Sequence, residues 1–234
     1  MPRKLTYIAN IFLLVMFAVA QQPAAPVAHP GQATEPAQLP DRIWSDLMDG
    51  NKRFVAGQLQ PQTVVKLRES LTKSQHPKAM VLSCSDSRVP PELVFDQTLG
   101  DLFVVRAAGN IAGPLGLASL EYAFDHLGST VLVVLGHTKC GAVTAACSGE
   151  RMPTANLRAM VDQIDPAVKK VKGSATGDAL IEAAIKENVH ESATDVLAHS
   201  ELLRHAKEQG KLTVIEAEYQ LDTGEVVRLD KAAQ

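Results

Sequence analysis

From about residue 41 onward the chain alternates two kinds of pattern: short, unbroken apolar runs, and longer stretches in which apolar residues recur every three or four positions. The short runs are Ala79-Met-Val-Leu-Ser83, Leu102-Phe-Val-Val-Arg106 and Thr130-Val-Leu-Val-Val-Leu135. Their length and β-branched content predict strands. Helical spacing begins with Ile43, Trp44, Leu47, Met48 and Phe54 ahead of Gly57, and Asp41 is the candidate N-cap of that first helix. A short helix is expected near Val64 to Lys73, another from about Pro114 to Leu127, and a mainly helical region from Asn156 to about Gly210. Within it, Glu187 to Gln209 carries Val189, Val196, Leu197, Leu202 and Leu203. The run Lys211 to Tyr219, a turn at Asp222-Thr-Gly224 and a short strand from Val226 to Leu229 predict a closing hairpin. Strands alternating with helices predict an α/β fold: a central, mostly parallel β-sheet flanked by helices, with an antiparallel edge and an N-terminal helical arm.

The first forty residues differ in pattern. Met1-Pro-Arg-Lys4 precedes a mostly apolar run from Leu5 to Ala20 that ends in Ala18-Val-Ala20. A basic start, an apolar centre and small residues at the end predict a signal peptide over 1–20, cleaved after Ala20, and hence a periplasmic or secreted protein. A membrane anchor is the competing reading, although the run falls short of the roughly 20 residues of a full span. Residues 21–40 are rich in Pro, Ala and Gln and predict a disordered linker. Residues 41–234 are expected to form one domain. With 46% hydrophobic residues, 21% charged residues and a net charge of −3, the chain can bury a sizeable core. That balance shows no electrostatic bias towards nucleic acid, and no stable membrane association is expected once the signal is removed.

Chemistry follows directly after two of the predicted strands. Cys84-Ser-Asp-Ser-Arg88 follows the first, and Gly136-His-Thr-Lys-Cys-Gly141 follows the third. Ligand sites of open α/β sheets lie beyond the carboxyl ends of the strands. If these two strands are parallel neighbours, Cys84, His137 and Cys140 meet at one edge of the sheet. Two thiolates and an imidazole suit zinc, and three protein ligands leave a fourth tetrahedral position open for water, as in catalytic sites. Bound zinc would also protect the thiols, which matters for an exported chain with three cysteines. Asp86 lies within reach of such a site, and Arg88 could hold its carboxylate ionised through a forked contact. Cys147, two helical turns beyond Cys140, is too far along for the same tetrahedron and is expected to be a small buried thiol.

Taken together and in order, Cys84-Ser-Asp-Ser-Arg88, Phe103-Val-Val-Arg106 leading to Ala108-Gly-Asn110, and Gly136-His-x-x-Cys-Gly141 resemble the β-carbonic anhydrase family. The likeness extends to Gly50-Asn-Lys-Arg-Phe54 and to Glu218-Tyr-x-Leu-x-Thr-Gly224, so it spans nearly all of the chain from Asp41 to Leu229. The resemblance implies zinc-dependent, reversible hydration of carbon dioxide to bicarbonate by attack of zinc-bound hydroxide. It implies one Zn2+ per subunit on Cys84, His137 and Cys140, and a catalytic pair in Asp86 and Arg88. It further implies substrate contacts from Phe103, Ala108 and Tyr122, and from Gln75 reaching across a subunit interface, in a homodimer or homotetramer. Ala107 stands where the family commonly has asparagine, and that residue's side-chain bond is therefore not expected. The stretch Ala79 to Ser83 lacks the tryptophan of an inhibitory bicarbonate site, which predicts a permanently open metal. His76, next to Gln75, receives no role. Hydrolysis of carbonyl sulfide or carbon disulfide, and a non-catalytic zinc module with a fourth protein ligand, remain open as alternatives; a thiol redox protein is disfavoured because Cys-x-x-Cys is absent.

Overall fold

The computed structural model describes residues 40–61 and 64–229. The expected signal peptide, and the linker up to residue 39, lie outside the described residues. In chain order the elements are α1 (Pro40–Val55), α2 (Val64–Ser70), β1 (Ala79–Ser83), α3 (Pro91–Val94), β2 (Leu102–Arg106), a 3-10 turn (Ala108–Asn110), α4 (Pro114–Asp125), β3 (Val131–His137), α5 (Gly141–Ser148), α6 (Ala155–Val171), α7 (Gly177–His199), α8 (Glu201–Glu208), β4 (Thr213–Tyr219) and β5 (Val226–Arg228). The strands form one sheet in the order β2-β1-β3-β4-β5, parallel except for the β4–β5 hairpin. That is the mixed α/β sheet with an antiparallel edge that the pattern predicts.

β1 and β3 lie at its centre, and every residue of both is buried. Alternation sorts their side chains onto two faces. Val81, Val133, Leu135, Ile215 and Ala217 pack with Ile43 and Leu47 of α1 on one face. Met80, Leu82, Leu132 and Val134 pack on the other with Leu120 of α4, Val189 and Val196 of α7 and Leu203 of α8. A third apolar cluster caps the carboxyl ends of the strands: Cys84 and Cys140 with Val143, Val161, Ile164 and Ile185, drawn from α5, α6 and α7. Among the described residues, no helix is long and apolar enough to cross a membrane.

Two sequence expectations require correction. Asp41 is not a cap but already sits in the first turn of α1, where its negative charge still favours the positive end of the helix. The helix expected from Glu187 to Gln209 is two helices, because Ser200 leaves helical geometry (φ −122°, ψ 103°) and its side chain accepts a hydrogen bond from the Leu203 amide, capping α8. Trp44 packs edge-on against Phe95, with ring centroids 6.5 Å apart, and lies under the Arg228 guanidinium.

The segment Gly50-Asn-Lys-Arg-Phe54 turns out to be the dock by which α1 grips the body. The Asn51 side chain donates to the carbonyls of Val94 (3.0 Å) and Gly224 (2.8 Å), and accepts from the Val226 amide (2.9 Å). Arg53 pairs with the buried carboxylate of Asp96, and Phe54 packs near the Tyr219 ring. Gly50 permits the approach itself, since a Cβ there would lie 1.8 Å from the Phe95 carbonyl oxygen. Gly50→Ala is therefore expected to force α1 off the sheet and lower stability by about 1–3 kcal/mol, read as an earlier midpoint in urea unfolding followed by circular dichroism.

Candidate metal centre

β1 and β3 pair in parallel, with Ser83 opposite Leu135. Cys84 follows β1 by one residue and His137 is the last residue of β3, so both emerge on the same edge of the sheet. A turn through Thr138 and Lys139, the latter in left-handed geometry (φ 56°), then brings Cys140 back as the residue that precedes α5. The two Sγ atoms and one imidazole nitrogen lie within 4.8 Å of one another, and all three residues are buried. This group could hold a metal ion.

His137 is poised as a ligand. Its Nδ1 lies 2.9 Å from the Thr138 carbonyl oxygen, which accepts only a donor, so the proton is fixed on Nδ1 and the lone pair on Nε2. Nε2 is buried and, among the described residues, has no hydrogen-bond partner. A buried, unpartnered nitrogen aimed between two thiols fits a soft or borderline cation and is costly in its absence. The thiols fit as well, because at this separation they share one proton. Cys84 is pushed down to about 4, first by the hydrogen bond from Cys140 and then by His137 and the Gly109 and Asp86 amides, against the effect of burial. The same bond and burial push Cys140 up. A divalent ion replacing that proton would stabilise both thiolates at once. Burial opposes a charge on His137, but the nearby Cys84 sulfur, the Thr138 carbonyl and Asp86 together raise its pKa.

Asp86 stands at the entrance to this cluster, its Oδ2 3.8 Å from Nε2 of His137. Arg88 holds it in a fork: Nε donates to Oδ1 (2.9 Å), Nη2 to Oδ2 (2.7 Å), and the Arg88 amide also reaches Oδ1 (3.0 Å). The side-chain bond from Arg88 is the main reason the Asp86 carboxyl lies well below the usual carboxylate range. Asp86 is thus an acceptor only, at any working pH.

The sequence motifs named Arg106 and Asn110 without giving them a task, and the structure supplies it. Arg106, at the end of the edge strand β2, donates from Nε to the Cys84 carbonyl (3.0 Å) and from Nη2 to the Asp86 carbonyl (2.6 Å). Ala107 ties the same loop through its backbone, to the Ser83 carbonyl (3.1 Å) and from the Ser85 amide (3.2 Å), which its side chain need not do. Beyond it, the Gly109 amide donates to Cys84 Sγ (3.3 Å).

The remaining candidates are Ala108, Phe103, Tyr122 and Gln75. Ala108 is exposed, next to Gly109. Phe103 packs with the Met80–Leu82 cluster, in a different core from the thiols, and its ring centroid is 6.3 Å from that of Tyr122, which is stacked on His126. Gln75 is exposed in the loop before β1, with His76 beside it. Phe103 and the thiols thus belong to separate apolar clusters, whereas Ala108 directly precedes the Gly109 amide that meets Cys84 Sγ. Cys147 is half-buried and lies outside the metal-ligating group.

A model of the carbonic anhydrase family matches residues 79–226, which include the cluster and nearly the whole sheet. The chain is 38% identical over 199 residues to carbonic anhydrase 2 of Mycobacterium tuberculosis, covering 83% of this chain and 95% of that one. It is 33% identical to a carbonic anhydrase of Pseudomonas aeruginosa, covering 81% and 89%. Among solved structures, a β-carbonic anhydrase of Aspergillus fumigatus superposes with a TM-score of 0.66 at 27% identity, over 82% of this chain and 92% of its own. The chain belongs to the carbonic anhydrase family, in its β class. It is a carbonic anhydrase.

Zinc titration against a chromophoric chelator is expected to show one tight site per chain. Cys84→Ser should weaken it by more than the roughly 10–100-fold that loss of an outer-shell partner costs.

Proposed function

We propose that this chain catalyses the reversible hydration of carbon dioxide to bicarbonate and a proton, with one zinc ion held by Cys84, His137 and Cys140. The observation that carries this reading is the buried, unpartnered Nε2 of His137 between two thiols, with a permanently ionised carboxylate beside it. Bound there, zinc would polarise a water molecule into a nucleophile near neutral pH.

The rest is the work of the chain. His137 presents Nε2 because the Thr138 carbonyl holds the proton on Nδ1. Asp86, an acceptor only, would take a hydrogen bond from a water molecule held beside it and so orient that water towards carbon dioxide. Arg88 keeps Asp86 ionised and in place. Two thiolates offset the formal charge of the ion, so the nucleophile is less acidic than beside neutral ligands and turnover should climb on the alkaline side. The proton released in the reaction passes to buffer.

We assign Phe103, Ala108, Tyr122 and Gln75 to the substrate in an assembly of at least two chains. β2 is an edge strand of sequence Leu102-Phe-Val-Val-Arg106 whose apolar residues are only half-buried. Leu99, Leu115 and Tyr122 are exposed large apolar residues, Leu115 at 86%. An apolar surface of this kind, beside an unpaired strand edge, favours a second copy over water. Two β-carbonic anhydrases of Sordaria macrospora with this fold are tetrameric. A homodimer, or a homotetramer of that kind, would bring Gln75 of one subunit towards the metal of another. The N-terminal pattern supports export and action in the periplasm or outside the cell.

The test is stopped-flow hydration of carbon dioxide by the zinc-loaded protein from pH 6 to 9.5. The rate should rise through mildly alkaline pH and vanish in Cys84→Ser. In Asp86→Asn it should fall about 100-fold or more while keeping its alkaline rise, since the Asp86 carboxyl titrates far below that range. A folded, zinc-loaded protein with no hydration activity would overturn the proposal.

A further inference from the structure

The most informative polar cluster outside the cysteines and Asp86 lies on α7, a helix whose buried face is otherwise apolar. Asn188 and Ser192 are one turn apart on that face and buried, with Val189, Ala193 and Val196 around them. Both point at the 3-10 turn. Asn188 Nδ2 donates to the Gly109 carbonyl (2.8 Å) and lies 3.5 Å from Asn110 Oδ1, while Asn110 Nδ2 donates to Ser192 Oγ (3.2 Å). The orientation of the Asn188 amide follows from this contact, because a carbonyl oxygen accepts only a donor. Its own Oδ1 is left buried without a partner among the described residues, so the donor bond is retained although the acceptor goes unsatisfied.

The turn held in this way is unusual in backbone. Gly109 and Asn110 both have positive φ, 76° and 48°. Glycine adopts the first of these without steric cost, and a Cβ there would lie 2.7 Å from Ile164 Cδ1, so position 109 favours glycine on both counts. This geometry turns the Gly109 N–H, 25 residues distant in sequence, onto Cys84 Sγ at 3.3 Å.

We infer that Asn188, seconded by Ser192, is a positioning residue: by holding the Gly109–Asn110 peptide through the Gly109 carbonyl it fixes the glycine's conformation, so that the N–H of the preceding peptide donates to the Cys84 sulfur and tunes it as a metal ligand. An N–H donor withdraws electron density from a thiolate, which makes it a weaker donor to the ion and leaves the ion a stronger Lewis acid. A helix far along the chain from Cys84 thereby sets the electronic character of the centre. The inference rests on the reading of Cys84 as a metal ligand.

Cobalt substitution separates the two. Co2+-loaded wild type should show a sulfur-to-cobalt charge-transfer band. In Asn188→Leu, which keeps the volume but removes the donor, that band should move to longer wavelength, because a sulfur without its N–H partner is more electron-rich. Ser192→Ala should shift the band in the same direction by less. A band in Asn188→Leu at the wild-type position would overturn the inference and leave the metal reading standing. Absence of any cobalt–sulfur band in wild type would overturn both. If Asn188→Leu does not fold, 15N-glycine-labelled wild type and Ser192→Ala loaded with 113Cd2+ decide the matter: the Gly109 amide proton should show scalar coupling to the metal through the Cys84 sulfur in wild type and a smaller one in Ser192→Ala, and an absent coupling in wild type or equal couplings in both would overturn the inference.

Discussion

Parallel pairing of β1 with β3 brings the residues that follow both strands out at one edge of the sheet, at one height. Antiparallel pairing would send them to opposite ends, and a slip of one residue would turn His137 to the other face. The pairing is secured by burial. Every side chain of the two strands is removed from water between α1 on one face and α4, α7 and α8 on the other. A two-residue turn after His137 then suffices to return Cys140 to the same point, where the third apolar cluster shields both sulfurs.

Once two thiols and an imidazole are confined together, electrostatics dictates much of the remainder. The thiols cannot both carry charge without a cation, so Cys84 goes down and Cys140 up. The imidazole nitrogen between them lacks any partner of its own. Asp86, a few ångströms away, would aggravate the negative charge were it not held by Arg88 in a fork. The loop that carries Cys84 and Asp86 is pinned from β2 by Arg106 and by the backbone of Ala107. The cluster is thus preformed by bonds among the chain's own groups, which is how a small scaffold keeps side-chain geometry precise.

Much of this was legible in the chain. The buried central strands were visible as apolar runs, because a strand covered on both faces has no polar side to interrupt it. The ligand set was visible because its chemistry is confined to short loops directly after those strands. Other features were silent for physical reasons. The break at Ser200 leaves no trace in the pattern because apolar spacing continues across it, and only the backbone geometry of one serine divides α7 from α8. The role of Gly50-Asn-Lys-Arg-Phe54 in docking α1 could not be read, since its partners at Val94, Asp96, Gly224 and Val226 are 43 to 175 positions away. Asn188 and Ser192 did leave a signal, two polar residues one turn apart on an otherwise apolar helix face, but nothing in it pointed to Gly109.

The α/β pattern, the three side chains that could hold a metal and the Asp86–Arg88 pair were legible in the amino-acid sequence alone, because these depend on residue type, local periodicity and spacing within short loops. It took the folded chain to establish that β1 and β3 are neighbours in matching register, that Arg106 and Gly109 reach the Cys84 loop, and that α7 braces the turn behind the sulfur. Those are contacts between segments far apart in the chain, and their geometry exists only once the sheet has twisted and the helices have closed on it.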